Sequence, residues 1–263
     1  MRQLVKRAIE GTPLEPLVAK LVGALRRAPD GPSIDELNKR YDRQAEQVMA
    51  RVLERDSNCI DVGCHQGSVL DLMLQAAPNG QFYAFEPIPD LFSSLCAKYR
   101  PAANVHLFQA ALSDEPGTAS FQHVVSNPGY SGLRQRTYSR PDEQVVELDV
   151  ELLRLDDVIS SDVDVRLIKI DVEGAELQVF RGAVETIRRC RPYIVFEHGL
   201  GAADCYGTRP EMVYDVLHRA GLQISTMSDW LSSSGSTGFS REAFIDQFDQ
   251  GRNFYFLAHP TPG

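Results

Sequence analysis

The chain has 263 residues, 43% of them hydrophobic, and a formal net charge of −9. That composition supplies the core of one large domain, or of one domain with a smaller appendage, and excludes a fibrous or disordered chain. The acidic balance argues against a nucleic-acid partner, which would call for a basic surplus.

Met1–Arg27 runs against that balance, because Arg2, Lys6, Arg7, Lys20, Arg26 and Arg27 outnumber Glu10 and Glu15. Leu4, Val5, Ile9, Leu14, Leu17, Val18, Leu21, Val22 and Leu25 recur at helical spacing around a break at Gly11–Pro13. Such basic amphipathic helices suit peripheral contact with an anionic membrane. The plainer reading is a pair of helices capping the main domain. Met1–Glu10 leads into charge rather than a long apolar core, so no signal peptide is expected. No apolar run reaches the ~20 residues that cross a membrane. A turn-rich link, Ala28–Ser33, precedes a helical stretch to about Arg55, so residues 1–55 are expected to form a helical extension to a domain over 56–263.

From Asn58 the pattern alternates. Strands are predicted at Cys59–Val62, Gln81–Glu86, Val105–Ala110, Val165–Ile170 and Tyr193–Glu197. Helices are predicted at Ser68–Ala77, Asp90–Tyr99, Ala175–Cys190 and Pro210–Ala220. That alternation predicts an α/β fold with a parallel sheet whose strands end on one rim. Thr118–Val125 and Gln144–Val150 read as a second β-rich stretch around a loop, Ser126–Arg140. Leu222–Ser225 and Asn253–Ala258 read as a closing antiparallel pair, with a flexible loop at Ser232–Gly238. Cys59, Cys64, Cys96, Cys190 and Cys205 include no Cys-x-x-Cys pair, which points to reduced thiols in a cytoplasmic protein rather than a zinc cage or disulfide framework.

Polar residues gather where the predicted strands end. The first strand closes on Asp61 and a turn carrying Gly63 and Gly67, which permit positive φ and close approach of a ligand. The second ends in Glu86, 25 residues beyond Asp61. A carboxylate there is placed to accept from the two hydroxyls of a ribose. Phe108–Asp114 offers small and polar residues to border an adenine ring. The fourth strand ends in Asp171, with Glu173 and Glu176 behind it; either Asp171 or Glu173 opening the next helix would favour its amino terminus. The fifth ends in Glu197 and His198. The glycine pattern differs from the dinucleotide fingerprint, and Asp61 would repel a diphosphate. It suits a cofactor with a cationic amino-acid end, such as S-adenosylmethionine (SAM).

Ile60–Gly67, Phe85–Pro87, Ala111–Asp114, Leu155–Asp157 and above all Ile168–Glu176 resemble the FkbM family of SAM-dependent methyltransferases. The resemblance spans about Ser57 to Gly199. It implies a class I SAM-dependent methyltransferase (Rossmann-like) fold, a seven-stranded mostly parallel sheet with one antiparallel strand. It also implies O-methylation of a sugar, glycan, glycolipid or related natural product. Asp61, Gly63 and Gly67 would line the methionine end of SAM, Glu86 would hold the ribose, and Asp171 would sit beside the reacting centre. Cys64, Pro87, Gln109 and Ala110 complete the cofactor set.

A base would help a neutral hydroxyl attack, and His198, held beside Glu197, is the first candidate, with Asp171 second. Asp171, Glu197 and His198 on neighbouring strand ends also suggest a site for Mg²⁺. Two other classes stay open, a nucleotide-dependent oxidoreductase of Rossmann type and a non-catalytic scaffold or partner protein on this fold. The expected partner is a small-molecule or glycan acceptor facing Tyr130, Arg134 and Arg136, and an assembly of like chains is open.

Overall fold

The computed structural model describes residues 33–136, 143–233 and 237–261. The expected helices of Met1–Arg27 lie outside these. Two compact units divide the chain, Met1–Asp42 and Arg43–Gly263, and the site below lies wholly in the second. Helix α1 is Ile34–Val52. Its start carries a capping box: Ser33 Oγ accepts from Glu36 N at 3.2 Å, and the Glu36 carboxylate accepts from Ser33 N at 2.7 Å.

A seven-stranded sheet organises the second unit. In chain order its strands are β1 Asn58–Val62, β2 Phe82–Phe85, β3 Val105–Phe108, β7 Val165–Ile170, β8 Tyr193–Glu197, β9 Leu222–Ser225 and β10 Tyr255–Pro260. Spatially they run β3-β2-β1-β7-β8-β10-β9, with β10 antiparallel to both its neighbours. This is the arrangement the resemblance implies. Ile60, Val62, Ile168, Ile170, Ile194 and Phe196 form its buried centre, as two-sided burial requires of inner parallel strands. The helices flanking it are α2 Ser68–Ala76, α3 Pro89–Tyr99, α4 Leu155–Val158, α5 Glu176–Gly182, α6 Val184–Cys190, α7 Pro210–Arg219, α8 Met227–Ser232 and α9 Arg241–Asp249. Among the described residues, no helix is long and apolar enough to cross a membrane.

Three expectations are corrected. The predicted strand Val105–Ala110 divides at Gln109: β3 stays in the main sheet, and β4, Ala110–Leu112, enters a second sheet. That sheet has the order β4-β6-β5, where β5 is Gly117–Val124 and β6 is Val145–Leu153. The predicted helix Ala175–Cys190 breaks at Ala183, whose φ of −119° and ψ of 9° are not helical. Just before the break, Gly182 lies so close to the main chain that an added Cβ would stand 2.0 Å from the Ser113 carbonyl oxygen. Finally, the region between the last two strands holds α8 and α9, and residues 234–236 of the expected loop lie outside the described residues. Ser240 caps α9 by accepting from Ala243 N, and α9 buries Phe244 and Phe248.

Candidate active site

All five parallel strands expected to reach the rim do so, and the antiparallel β10 adds its first residue there. Alternation along each strand decides which side chains meet. Asp61 on β1 is the register partner of Lys169 on β7. Asp171 lies two residues beyond Lys169 on the same face, and Ile170 pairs with Phe196, which sets Asp171 beside Glu197. Glu197 in turn pairs with Tyr255. One face of the rim therefore gathers Asp61, Lys169, Asp171, Glu197 and Tyr255.

The turn after β1 is held from two sides. Gly63 N and Cys64 N donate to the Phe85 carbonyl at 3.0 and 3.1 Å. Lys98 Nζ donates to the Gln66 carbonyl at 3.0 Å, and Tyr99 OH donates to the Gly67 carbonyl at 2.7 Å. Gly63 and Gly67 have φ of 73° and 75°. The close approach that excludes side chains is to protein: a Cβ at Gly63 would lie 2.0 Å from the Asp171 carbonyl oxygen, and one at Gly67 2.4 Å from the Tyr99 hydroxyl. The glycines thus fit the turn against β7 and α3. Cys64 is buried beneath it, and burial raises its thiol, so it stays a neutral thiol.

Asp61 is fully buried, and neither carboxylate oxygen has a hydrogen-bond partner. Lys169 Nζ stands 3.7 Å from it and 3.6 Å from Asp171, and donates to the Gly63 carbonyl at 3.0 Å. Burial raises the Asp61 carboxyl above its ordinary range, and Lys169 only partly offsets this. Burial works against the Lys169 ammonium, but Asp171 and Asp61 outweigh it and hold it charged.

Glu86 is buried at the end of β2 and accepts from Ile88 N at 3.0 Å and from His65 N at 2.8 Å. Burial nevertheless pushes its carboxyl up to about 7. Pro87 is buried behind it, Gln109 is exposed at the branch between β3 and β4, and Ala110 is buried.

Asp171 accepts a 2.6 Å hydrogen bond from Tyr255 OH. Burial alone would raise its carboxyl, but Lys169, Tyr255 and Glu197 bring it below the usual carboxylate range. Glu197 goes the other way: burial, then the charges of Asp171 and Glu176, push it well above. Glu173 sits at φ 57°, a conformation costly for a residue with a side chain, and pairs with Arg136. Arg136 also lies 5.2 Å over the Tyr130 ring. The second sheet's loop is thereby drawn down onto the rim, with Arg136 engaged by Glu173.

Two expectations fail here. Neither Asp171 nor Glu173 opens the helix that follows; α5 starts at Glu176, whose carboxylate accepts from Gly174 N at 2.9 Å. His198, one residue beyond Glu197, faces the other side of the sheet. It is fully buried and stacked on Phe248 at 4.7 Å and Phe244 at 6.0 Å, and burial pushes its imidazole down to about 4. The ring thus lies outside the group formed by Asp171, Glu173 and Glu197. The Mg²⁺ set Asp171–Glu197–His198 is therefore not assembled. Oxygens of Asp171, Glu173 and Glu197 do lie within 4.8 Å of one another, but Lys169 and Arg136 already balance that group.

Two residues of this cluster, Lys169 and Tyr255, do not follow from the strand-end reading of the sequence. A lysine inside the apolar run Leu167–Ile170 was a signal for the first. Tyr255 needed the knowledge that an antiparallel strand brings its beginning, not its end, to this rim.

The chain is similar to known proteins. The family described as the Methyltransferase FkbM domain matches residues 61–224. The chain is 32% identical over 158 residues to the 2-O-methyltransferase NoeI of Sinorhizobium fredii, covering 55% of this chain and 65% of that one. It is 31% identical over 155 residues to methyltransferase sdnD of Sordaria araneosa, covering 48% and 60%. It is 27% identical over 221 residues to the hexuronic acid methyltransferase AglP of Haloferax volcanii, covering 79% and 82%. The match thus spans less than two thirds of the length of the first two relatives.

Proposed function

Because the chain belongs to the FkbM methyltransferase family, we propose that it transfers the methyl group of SAM to a hydroxyl of a sugar or glycan. The observation that carries the cofactor is Asp61, a fully buried carboxylate directly under the glycine turn that accepts no hydrogen bond, its nearest cation being the Lys169 ammonium at 3.7 Å. Buried carboxylates are rarely left so, and a donor is called for. The cationic amino-acid end of SAM supplies one, lying over Gly63–Gly67. Glu86 accepts from the ribose hydroxyls with the lone pairs that Ile88 and His65 leave free. The adenine lies toward Gln109 and Ala110.

Bound in this way, SAM would present its methyl group on the side of Asp171. The sulfonium–carbon bond breaks as the oxygen–carbon bond forms, and the hydroxyl proton passes to Asp171, leaving neutral S-adenosylhomocysteine. The sulfonium is already electrophilic, so most of the gain comes from alignment, an effect that reaches ~7–11 kcal/mol in well-oriented systems. The sugar class is supported by one relative, named a hexuronic acid methyltransferase, and transfer to oxygen by another, named a 2-O-methyltransferase.

The test supplies methyl-labelled SAM and oligosaccharides ending in neutral hexose or hexuronic acid. Equimolar labelled methyl ether and S-adenosylhomocysteine are expected. Absence of S-adenosylhomocysteine binding in calorimetry would point instead to a scaffold, and saturable NADH binding to an oxidoreductase.

A further inference from the structure

We propose that Glu197 works as an uncharged acid, a positioning residue whose carboxyl donates a hydrogen bond to Asp171 and aims that carboxylate at the acceptor hydroxyl. The proposal rests on the methyltransferase reading above. Register sets the two residues side by side on one face, since Ile170 pairs with Phe196. Oxygens of Asp171, Glu173 and Glu197 fall within 4.8 Å of one another. Two carboxyl groups that close share a single proton.

The neighbours decide which one keeps it. Asp171 has the Lys169 ammonium at 3.6 Å and the Tyr255 hydroxyl donating at 2.6 Å, and both favour the anion. Glu197 has the buried Glu176 near it, and the cation on its side, Arg136, is paired with Glu173. Burial, Asp171 and Glu176 therefore raise Glu197, while Lys169 and Tyr255 overcome burial at Asp171. Asp171 is left anionic with two donors fixing it, Tyr255 and Glu197. A carboxylate has about four lone-pair positions, so room remains to accept from a hydroxyl.

The protonation state can be read with no cofactor or acceptor. In protein labelled with ¹³C at the glutamate carboxyl, the Glu197 resonance is assigned by its loss in Glu197→Gln. It should report a protonated acid at pH 7, and its titration should move to lower pH in Asp171→Asn. An ionised Glu197 at pH 7, or a titration unmoved in Asp171→Asn, overturns the proposal. Methyl transfer gives the second readout. Glu197→Ala should lower kcat about 10²-fold with the KM for SAM unchanged, and Glu197→Gln, which keeps the donor, should recover all but about threefold. The alkaline fall in wild-type rate, where Glu197 ionises, should be missing from Glu197→Gln. Equal loss in the two variants overturns the proposal, as does full activity in Glu197→Ala. Failure of the wild type to bind S-adenosylhomocysteine or to turn over would sink the methyltransferase reading instead, while the resonance would still decide the protonation.

Discussion

Glu86→Gln separates what the second strand end does for folding from what it does for binding. Burial moves this carboxyl from an ordinary 4.5 to about 7. A shift of that size amounts to about 3 kcal/mol. Its folded value is raised, so its contribution to stability is fully present below the unfolded value and is lost as pH rises through about 7. Glutamine has no such dependence. The stability difference between wild type and variant should therefore move by about 2–3 kcal/mol in favour of the variant between pH 5 and pH 8. At pH 5 the variant should be the weaker, because the hydroxyl oxygen of the protonated acid can still accept while an amide nitrogen cannot. One of the two backbone donors, His65 N or Ile88 N, then loses its partner, at about 1–3 kcal/mol. Urea unfolding at the two pH values reads both effects.

Binding gives an independent arm. Hydroxyl donors favour the ionised carboxyl, so S-adenosylhomocysteine should expel most of a proton from Glu86 near pH 6.5. Calorimetry in buffers of different ionisation heat measures that release. The variant should release none and bind about 10–100-fold more weakly, the usual worth of hydrogen bonds to a charged group. Equal affinity together with unchanged proton release would refute the ribose assignment and the linkage alike.

Other positions make sharper single points. His198→Leu should keep methyl transfer within about threefold, because the ring faces Phe244 and Phe248; a loss nearer the 10²–10⁴-fold of a missing base would restore it as one. The same variant should resist acid better than wild type between pH 6.5 and about 4, where the unfolded imidazole charges and the buried one does not. Gly63→Ala should destabilise by more than about 1 kcal/mol, since it adds the cost of positive φ to a Cβ 2.0 Å from the Asp171 carbonyl oxygen; wild-type urea unfolding would contradict this. Tyr99→Phe removes the hydroxyl that donates to the Gly67 carbonyl and lies 2.8 Å from Asp71. It should cost about 1 kcal/mol and raise the KM for SAM with kcat unchanged, as steady-state kinetics would show.

The parts of the fold legible in the sequence are those governed by short-range pattern. Buried strands such as Val165–Ile170 and Tyr193–Glu197 are predominantly apolar runs, and their bounds agree with the structure. The division at Gln109 was not legible, because Val105–Ala110 is one run by composition and only pairing partners part it. Helix α9 was hidden by the flexible-looking segment before it, although Ser240 three residues before Ala243 is a fair capping signal. At the site, Asp61, Glu86 and Asp171 followed from strand ends alone. His198 misled because adjacent residues at a strand end look like partners in one dimension, whereas alternation sends Glu197 and His198 to opposite faces. Tyr255 depends on a contact 84 residues away in sequence, which no local pattern encodes.

The branch at Gln109 has a consequence for how this scaffold can be altered. The hairpin of β5 and β6 shares its ladder with β4, and none of its strand pairings is with the sheet that carries Asp61, Glu86 and Asp171. Its connecting segment reaches the rim through side chains, by Arg136 on Glu173. Residues between Val124 and Val145 can therefore be lengthened, shortened or exchanged without re-registering any strand that positions the cofactor. On the proposed methyltransferase reading, that makes the segment a graft point for trying a different acceptor, with the strand ends that carry the transfer left in place.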